Sequence, residues 1–285
     1  MSDFGSDGWG FESSLGHIIF FLFISICSVF SQSSTIKIKL PKSLNETSGL
    51  EYYKSFLVTN NDSGDDAILY YFDLHGQIAF ERKFNNLKNY DWEDLCADKN
   101  FLYIADIGNN FDTRKNLRVI KVSKNPKKNN YEIINFLYPE QKEFTFNRAS
   151  EYDAEGLISF DNYLLIFTKN RKKNITEIYR IPKKKGNHKA KKILSLKTKS
   201  IITGADYNER LNLLVLTGTK DFNDNYILKI KNFNLSKNFN SEIETHKLSI
   251  GKAQVEAIKI IDENNFWITS EDEKNNKPLL YRISL

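Results

Sequence analysis

The stretch D-A-E-G-L-I-S-F-D-N-Y-L-L-I-F-T-K-N, residues 153–170, decides the fold. Glu155 opens an apolar run, Asp161-Asn162 interrupts it, and a second apolar run ends on Lys169 and Asn170. Two short apolar runs joined by an Asp/Asn turn read as antiparallel strands. The same design occurs in four more places. The first runs are S-G-L-E-Y-Y (48–53), W-E-D-L-C (92–96), T-G-A-D-Y (203–207) and V-E-A-I-K (255–259). Their second runs are F-L-V-T-N-N-D (56–62), F-L-Y-I-A-D-I-G-N-N (101–110), L-L-V-L-T-G-T-K-D (213–221) and F-W-I-T-S-E-D (266–272). The acids Glu51, Glu93 with Asp94, Glu155, Asp206 and Glu256 follow one another at spacings of 42, 62, 51 and 50 residues. Several short strands per unit, at a period near 50 residues, predict an all-β chain folded as a single β-propeller.

Outward from these pairs, each unit supplies two further strands, except the last. The unit that starts at Val255 has three strands before the chain ends. An alternating T-I-K-I-K-L strand at Thr35–Leu40 stands alone ahead of the first unit. Five blades are therefore predicted, with the ring closed by the N-terminal strand joining the C-terminal blade, which removes the open sheet edges. The longest interval carries extra residues at Glu140–Tyr152, read as an inserted loop; six blades is the alternative if that segment hides strands.

Residues 1–31 read differently from the rest. Ile18–Phe30 is apolar apart from Ser25 and Ser28, and Val29-Phe30-Ser31 resembles a small-x-small cleavage site. The expectation is a secretory signal peptide over 1–31 and a propeller domain over 32–285. The segment ahead of the apolar run has acids and no Lys or Arg, which leaves a retained anchor or an internal packed segment as the other readings. Loss of 1–31 would remove three acids and no bases, taking the net charge from +5 to +8. Of the two cysteines, Cys27 lies in the leader, so the mature chain would hold Cys96 alone and no disulfide. No membrane span is expected in the mature chain, and a monomer is expected.

In a propeller, the start of each innermost strand and the end of the next strand meet at one mouth of the channel. The predicted mouth therefore gathers Glu51, Glu93, Asp94, Glu155, Asp206 and Glu256 with Asn61, Asp62, Asp106, Asn109, Lys169 and Glu271. Carboxylates at such spacing either raise one another's pKa or take up a cation. Oxygen donors in this number suit Ca²⁺, with Glu51, Glu93, Glu155, Asp206 and Glu256 as candidate ligands. His17, His75, His188 and His246 fall outside the motifs, which argues against zinc. The commonplace alternative is that the acids cap backbone amides or pair with neighbouring blades. There is no G-x-S-x-G, H-E-x-x-H, P-loop or C-x-x-C motif. The Lys127-Lys128, Lys183–Lys185 and Lys191-Lys192 runs read as solvated faces that protect sheet edges.

The ordered set N-D-S-G (61–64), D-W-E-D-L (91–95), D-I-G-N-N (106–110), D-A-E-G-L (153–157), T-G-A-D (203–206) and E-A-I (256–258) resembles a family of Bacteroidetes-like secreted β-propellers. It covers nearly all of residues 45–285. More distantly the chain resembles phytase-like and lactonase-like propellers, whose metal ligands lie at the same mouth. The resemblance implies the fold and a site at the mouth, in a secreted, periplasmic or outer-envelope protein of a Gram-negative bacterium; it implies no reaction. The function expected is a binding or scaffold protein with a Ca²⁺-binding mouth, its partner a small molecule, a glycan or an envelope protein, and not a nucleic acid. The alternative is a metal-assisted phosphoesterase or lactonase, or a glycosidase using two mouth carboxylates.

Overall fold

The computed structural model describes residues 34–173, 175–220, 224–235, 243–271 and 277–285. The leader expected over 1–31, with Cys27, lies outside them, as do Asp221 and Asp272, which end two of the second runs. Among the described residues there is no α-helix, and no helix long and apolar enough to cross a membrane.

Strand β1 (Ser34–Lys39) comes first. Blade 1 is β2 (Thr47–Tyr53), β3 (Phe56–Asn61), β4 (Ile68–Phe72) and β5 (Ile78–Lys83). Blade 2 is β6 (Trp92–Ala97), β7 (Phe101–Asp106), β8 (Arg118–Ser123) and β9 (Tyr131–Leu137). Blade 3 is β10 (Ala154–Phe160), β11 (Tyr163–Thr168), β12 (Thr176–Pro182) and, after the short β13 (Gly186–Lys189), β14 (Lys191–Leu196). Blade 4 is β15 (Ile201–Asn208), β16 (Leu213–Thr219), β17 (Asn225–Lys231) and β18 (Glu244–Lys247). Blade 5 is β19 (Val255–Ile260), β20 (Asn265–Ser270) and β21 (Leu279–Ser284), with β1 paired antiparallel to β21 from Ser34↔Ser284 to Lys39↔Leu279. The ring closure expected from the orphan strand is thus present, and the blades number five. The Glu140–Tyr152 segment forms no strand and is a loop.

The inner strands β2, β6, β10, β15 and β19 touch in that order and back to β2, enclosing the channel. Five apolar clusters fill the five gaps between blades. One packs Trp92, Leu95 and Ile104 of blade 2 on Val58 and Tyr71 of blade 1. Its counterpart between blades 5 and 1 packs Trp267 and Leu280 on Leu50 and Phe72. Trp92 and Trp267 are therefore core side chains. Each fully buried Leu, Ile or Phe contributes about 1.5–3 kcal/mol, so the stability resides between blades more than within them.

Blade 2 carries a fifth strand that the strand pattern does not announce. β13 leaves blade 3 and pairs parallel with β9, from Gly186↔Ile134 to Lys189↔Leu137. The lysine-rich Lys183–Lys189 segment thereby covers the outer edge of blade 2, as edge protection requires.

A candidate cation site at the channel mouth

Every inner strand has a β-bulge at its start. It falls between Thr47 and Leu50, Trp92 and Asp94, Ala154 and Gly156, Ile202 and Gly204, and Val255 and Ala257. The extra residue at the bulge is Ser48, Glu93, Glu155, Thr203 and Glu256 in the five blades. A bulge re-aims one side chain out of the pleat, and here that side chain is an acid in three blades.

This register corrects the expectation of five equivalent acids. Glu51 and Asp206 sit three positions beyond the bulge, about 10 Å farther along the strand. Asp94 sits one position beyond it. A period read from the sequence cannot resolve shifts of one to three residues, because each blade keeps an acid within the same short window.

The two deeper acids belong with Lys259, the residue of blade 5 at their own register. Its Nζ lies 2.8 Å from Glu51 and 2.8 Å from Asp206, while Ile260 N donates to Asp206 Oδ2 at 2.8 Å. Burial opposes the Lys259 charge, but Asp206 and Glu51 hold its pKa well above the lysine range. Asp94 is likewise taken up by backbone: Leu95 N donates to Oδ1 at 2.7 Å and Leu157 N to Oδ2 at 2.8 Å. Asp106 binds Arg114 and Arg118, each at 2.8 Å. Asn61 donates to Ser43 O at 2.8 Å. Asn109 donates its backbone N–H to Asp153 at 2.7 Å.

The remaining acids crowd the mouth. Oxygens of Asp62, Asp91 and Glu93 lie within 4.8 Å of one another, and so do those of Glu93, Asp153 and Glu155. Glu93 belongs to both groups. Asp91 and Asp153 escaped the sequence reading, although a repeated signal was present: D-W-E and D-A-E each place an aspartate two residues before the bulge glutamate. Glu256 and Glu271 border the same space, with Gln254 donating to Glu271 at 2.5 Å.

Charge compensation is uneven. Lys169 pairs with Glu155 and Arg171 with Asp153. Asp62 has no ion pair among the described residues, and Asp91 has only Arg114 at 3.9 Å. Burial first, and Asp91 second, push the Asp62 carboxyl up to about 8. Burial, then Asp62 and Glu155, lift Glu93 well above the carboxylate range. Burial and Glu155 bring Glu256 to about 8; burial and Glu256 bring Glu271 to about 10. Glu93 Oε1 and Glu155 Oε2 are buried without a hydrogen-bond partner. Buried polar atoms are rarely left so.

Gly108 completes the cradle. A Cβ at this position would land on the carboxylates of Glu93 and Asp91, so a larger residue in the β7–β8 loop would have to push both aside. The donor set is oxygen alone. Among the described residues the histidines lie elsewhere, on the β4–β5 turn (His75), β13 (His188) and β18 (His246). Such donors fit a hard cation, Ca²⁺ or Mg²⁺, and do not fit zinc.

No family model matches the chain, and no curated protein matches its sequence. Among solved structures, the chain is similar to a PQQ-bound aldose sugar dehydrogenase from Streptomyces coelicolor, at 9% identity over 89% of this chain and 98% of that one, with a TM-score of 0.48. It is also similar to a catalytically inactive virginiamycin B lyase from Staphylococcus aureus with quinupristin, at 14% identity over 86% and 68% of the two chains, with a TM-score of 0.43. Likenesses this low bring no chemistry to the mouth.

Proposed function

We propose that this chain is a Ca²⁺-dependent binding propeller of the cell envelope or extracellular space. Its mouth cation would be held by Asp62, Asp91 and Glu93, leaving coordination positions open to an oxygen-bearing ligand. The observation that carries this reading is Glu93, buried, shared by both acid groups, with Oε1 lacking any partner. A cation meets that need, and uncompensated carboxylates draw it to the Asp62–Asp91 side. The Asp153–Glu155 side already has Arg171 and Lys169.

The test is a thermal melt of the full chain, stripped of metal and then supplied with Ca²⁺. At 100 times its Kd, a ligand stabilises the fold by about 2.7 kcal/mol, which is about 5–10 °C for a domain of this size. A shift lost in Glu93→Gln supports the site. An unshifted midpoint in the wild type sinks it.

One observation favours a second reading, a metal-assisted phosphoesterase or lactonase. Glu256 and Glu271, raised to about 8 and 10 by burial and by their acidic neighbours, would be protonated at neutral pH beside the cation. A protonated carboxyl there can donate to a leaving oxygen. Turnover of p-nitrophenyl phosphate or of a simple lactone, abolished in Glu256→Gln with the Ca²⁺ shift retained, would establish it.

A further inference from the structure

Tyr90, Phe111 and Phe146 are the exposed aromatic side chains among the described residues, at 41%, 46% and 63%. All three frame the blade 2 side of the mouth. Tyr90 directly precedes Asp91. Phe111 follows Asn110, whose Oδ1 accepts from Arg171 at 2.8 Å. Phe146 comes from the inserted Glu140–Tyr152 loop. Its ring stacks on Phe111 with centroids 4.6 Å apart and planes 19° apart.

The pair is held rigidly to the cation site. Asn147 N donates to Phe111 O at 3.0 Å. The buried Asp112 joins the two loops: its carboxylate accepts from Asn147 Nδ2 at 2.7 Å, Tyr152 N at 3.1 Å, Glu151 N at 3.2 Å and the Ser150 hydroxyl. Gln141 donates to its carbonyl at 2.7 Å. Ser150 also donates to Asn109 O at 3.2 Å, and Asn109 N donates to the mouth carboxylate Asp153. Asp112 adopts φ 57° to do this, a conformation that non-glycine residues seldom take. A buried aspartate thus fixes two phenylalanines that stay 46% and 63% exposed, where each forgoes about 1–2 kcal/mol of burial.

The surroundings select the occupant. Two stacked rings offer one flat face, far short of the ~800 Å² per partner of a stable protein interface. A sugar ring has a C–H face for the phenylalanines and hydroxyls for a cation. Outside the acidic centre the same loops carry Arg148, exposed two residues from Phe146, and Lys115, whose Nζ lies 5.1 Å from the Phe144 ring, alongside the exposed Glu140 and Glu143. We infer that the Phe111–Phe146 pair is a saccharide platform and that the ligand is an acidic oligosaccharide. One ring lies on Phe146, neighbouring oxygens reach the mouth cation, and uronate carboxylates face Lys115 and Arg148. This rests on the cation reading above.

The experiment is calorimetric titration of the full chain in excess Ca²⁺ with tetragalacturonate, cellotetraose and a short oligothymidylate, on the wild type, Phe146→Ala and Phe111→Ala. Tetragalacturonate should bind the wild type and bind Phe146→Ala about tenfold more weakly, as loss of a stacked ring implies. Both variants should keep the wild-type Ca²⁺ melting shift, which shows that they fold and load metal. Equal binding by Phe146→Ala, equal affinity for cellotetraose, or binding of oligothymidylate alone would overturn the inference. Absence of any Ca²⁺ shift together with Phe146-dependent sugar binding would overturn the cation reading and leave the platform standing.

Discussion

Glu93 and Gly108 form a matched pair at the mouth. Glu93 reaches the mouth because its bulge turns it out of the sheet, and it comes close to Asp91 because Gly108 has no side chain. Gly108→Ala would drive a methyl group into both carboxylates. The expected result is at least about tenfold weaker Ca²⁺ binding, roughly 1.4 kcal/mol, measured by competition with a chromophoric chelator. Unchanged affinity would mean that these two carboxylates do not share an ion. Glu93→Gln acts differently. It removes a buried carboxyl that must take up a proton to fold in the metal-stripped protein. That variant should melt higher than the stripped wild type at pH 8, by at least about 1 kcal/mol or roughly 2–4 °C, while losing its response to Ca²⁺. A variant that melts lower in the stripped state would show that Glu93 makes a stabilising contact without metal.

At the scale of the strand, the inner strands are joined by two kinds of side-chain tie. Asp94 fastens blade 2 to blade 3 through Leu157 N, and Lys259 on blade 5 fastens Glu51 of blade 1 and Asp206 of blade 4. Lys259→Met keeps the volume and removes the charge. Two carboxylates are then left buried without a cation, a loss of about 3–5 kcal/mol in denaturant titration. Lys259→Met with Glu51→Gln and Asp206→Asn should recover most of it, because the charges disappear together. A triple variant as unstable as the single one would show that packing, not charge, is the Lys259 contribution. The same strands show what the sequence makes legible. Alternation and Asn/Asp turns locate β2–β4, β6–β12 and β19–β21 closely, since those signals are local. The bulge register is set by how inner strands meet across the channel, which no local pattern records. For that reason Glu51 and Asp206 read as mouth acids, and Asp91 and Asp153 went unnoticed beside their glutamates. β13 stayed hidden for a related reason: G-N-H-K has no alternation, and its pairing with β9 is made by a different blade.

Over the whole molecule, the mouth gives the fold a pH dependence whose sign depends on metal. In the metal-stripped protein Asp62 and Glu256 titrate at about 8 and Glu271 at about 10, each raised first by burial. In the unfolded chain the same groups titrate near 4. Between about pH 4 and pH 8 the folded protein therefore holds more protons than the unfolded one, and stability falls as pH rises. Their contribution is fully present below the unfolded pKa values and is lost as pH passes through the folded ones. A bound cation replaces the proton of its ligand Asp62 and favours that ionised form, so its stabilisation should grow with pH. Melting midpoints of stripped and Ca²⁺-loaded protein, followed from pH 5 to pH 9, should start close together and diverge, the stripped curve falling. In Glu93→Gln the loaded and stripped curves should coincide at every pH. Parallel wild-type curves would mean that the cation binds without displacing mouth protons, at a place other than these carboxylates. A stripped curve that rises with pH would mean that Lys169 and Arg171, and not protons, carry the mouth charge through folding.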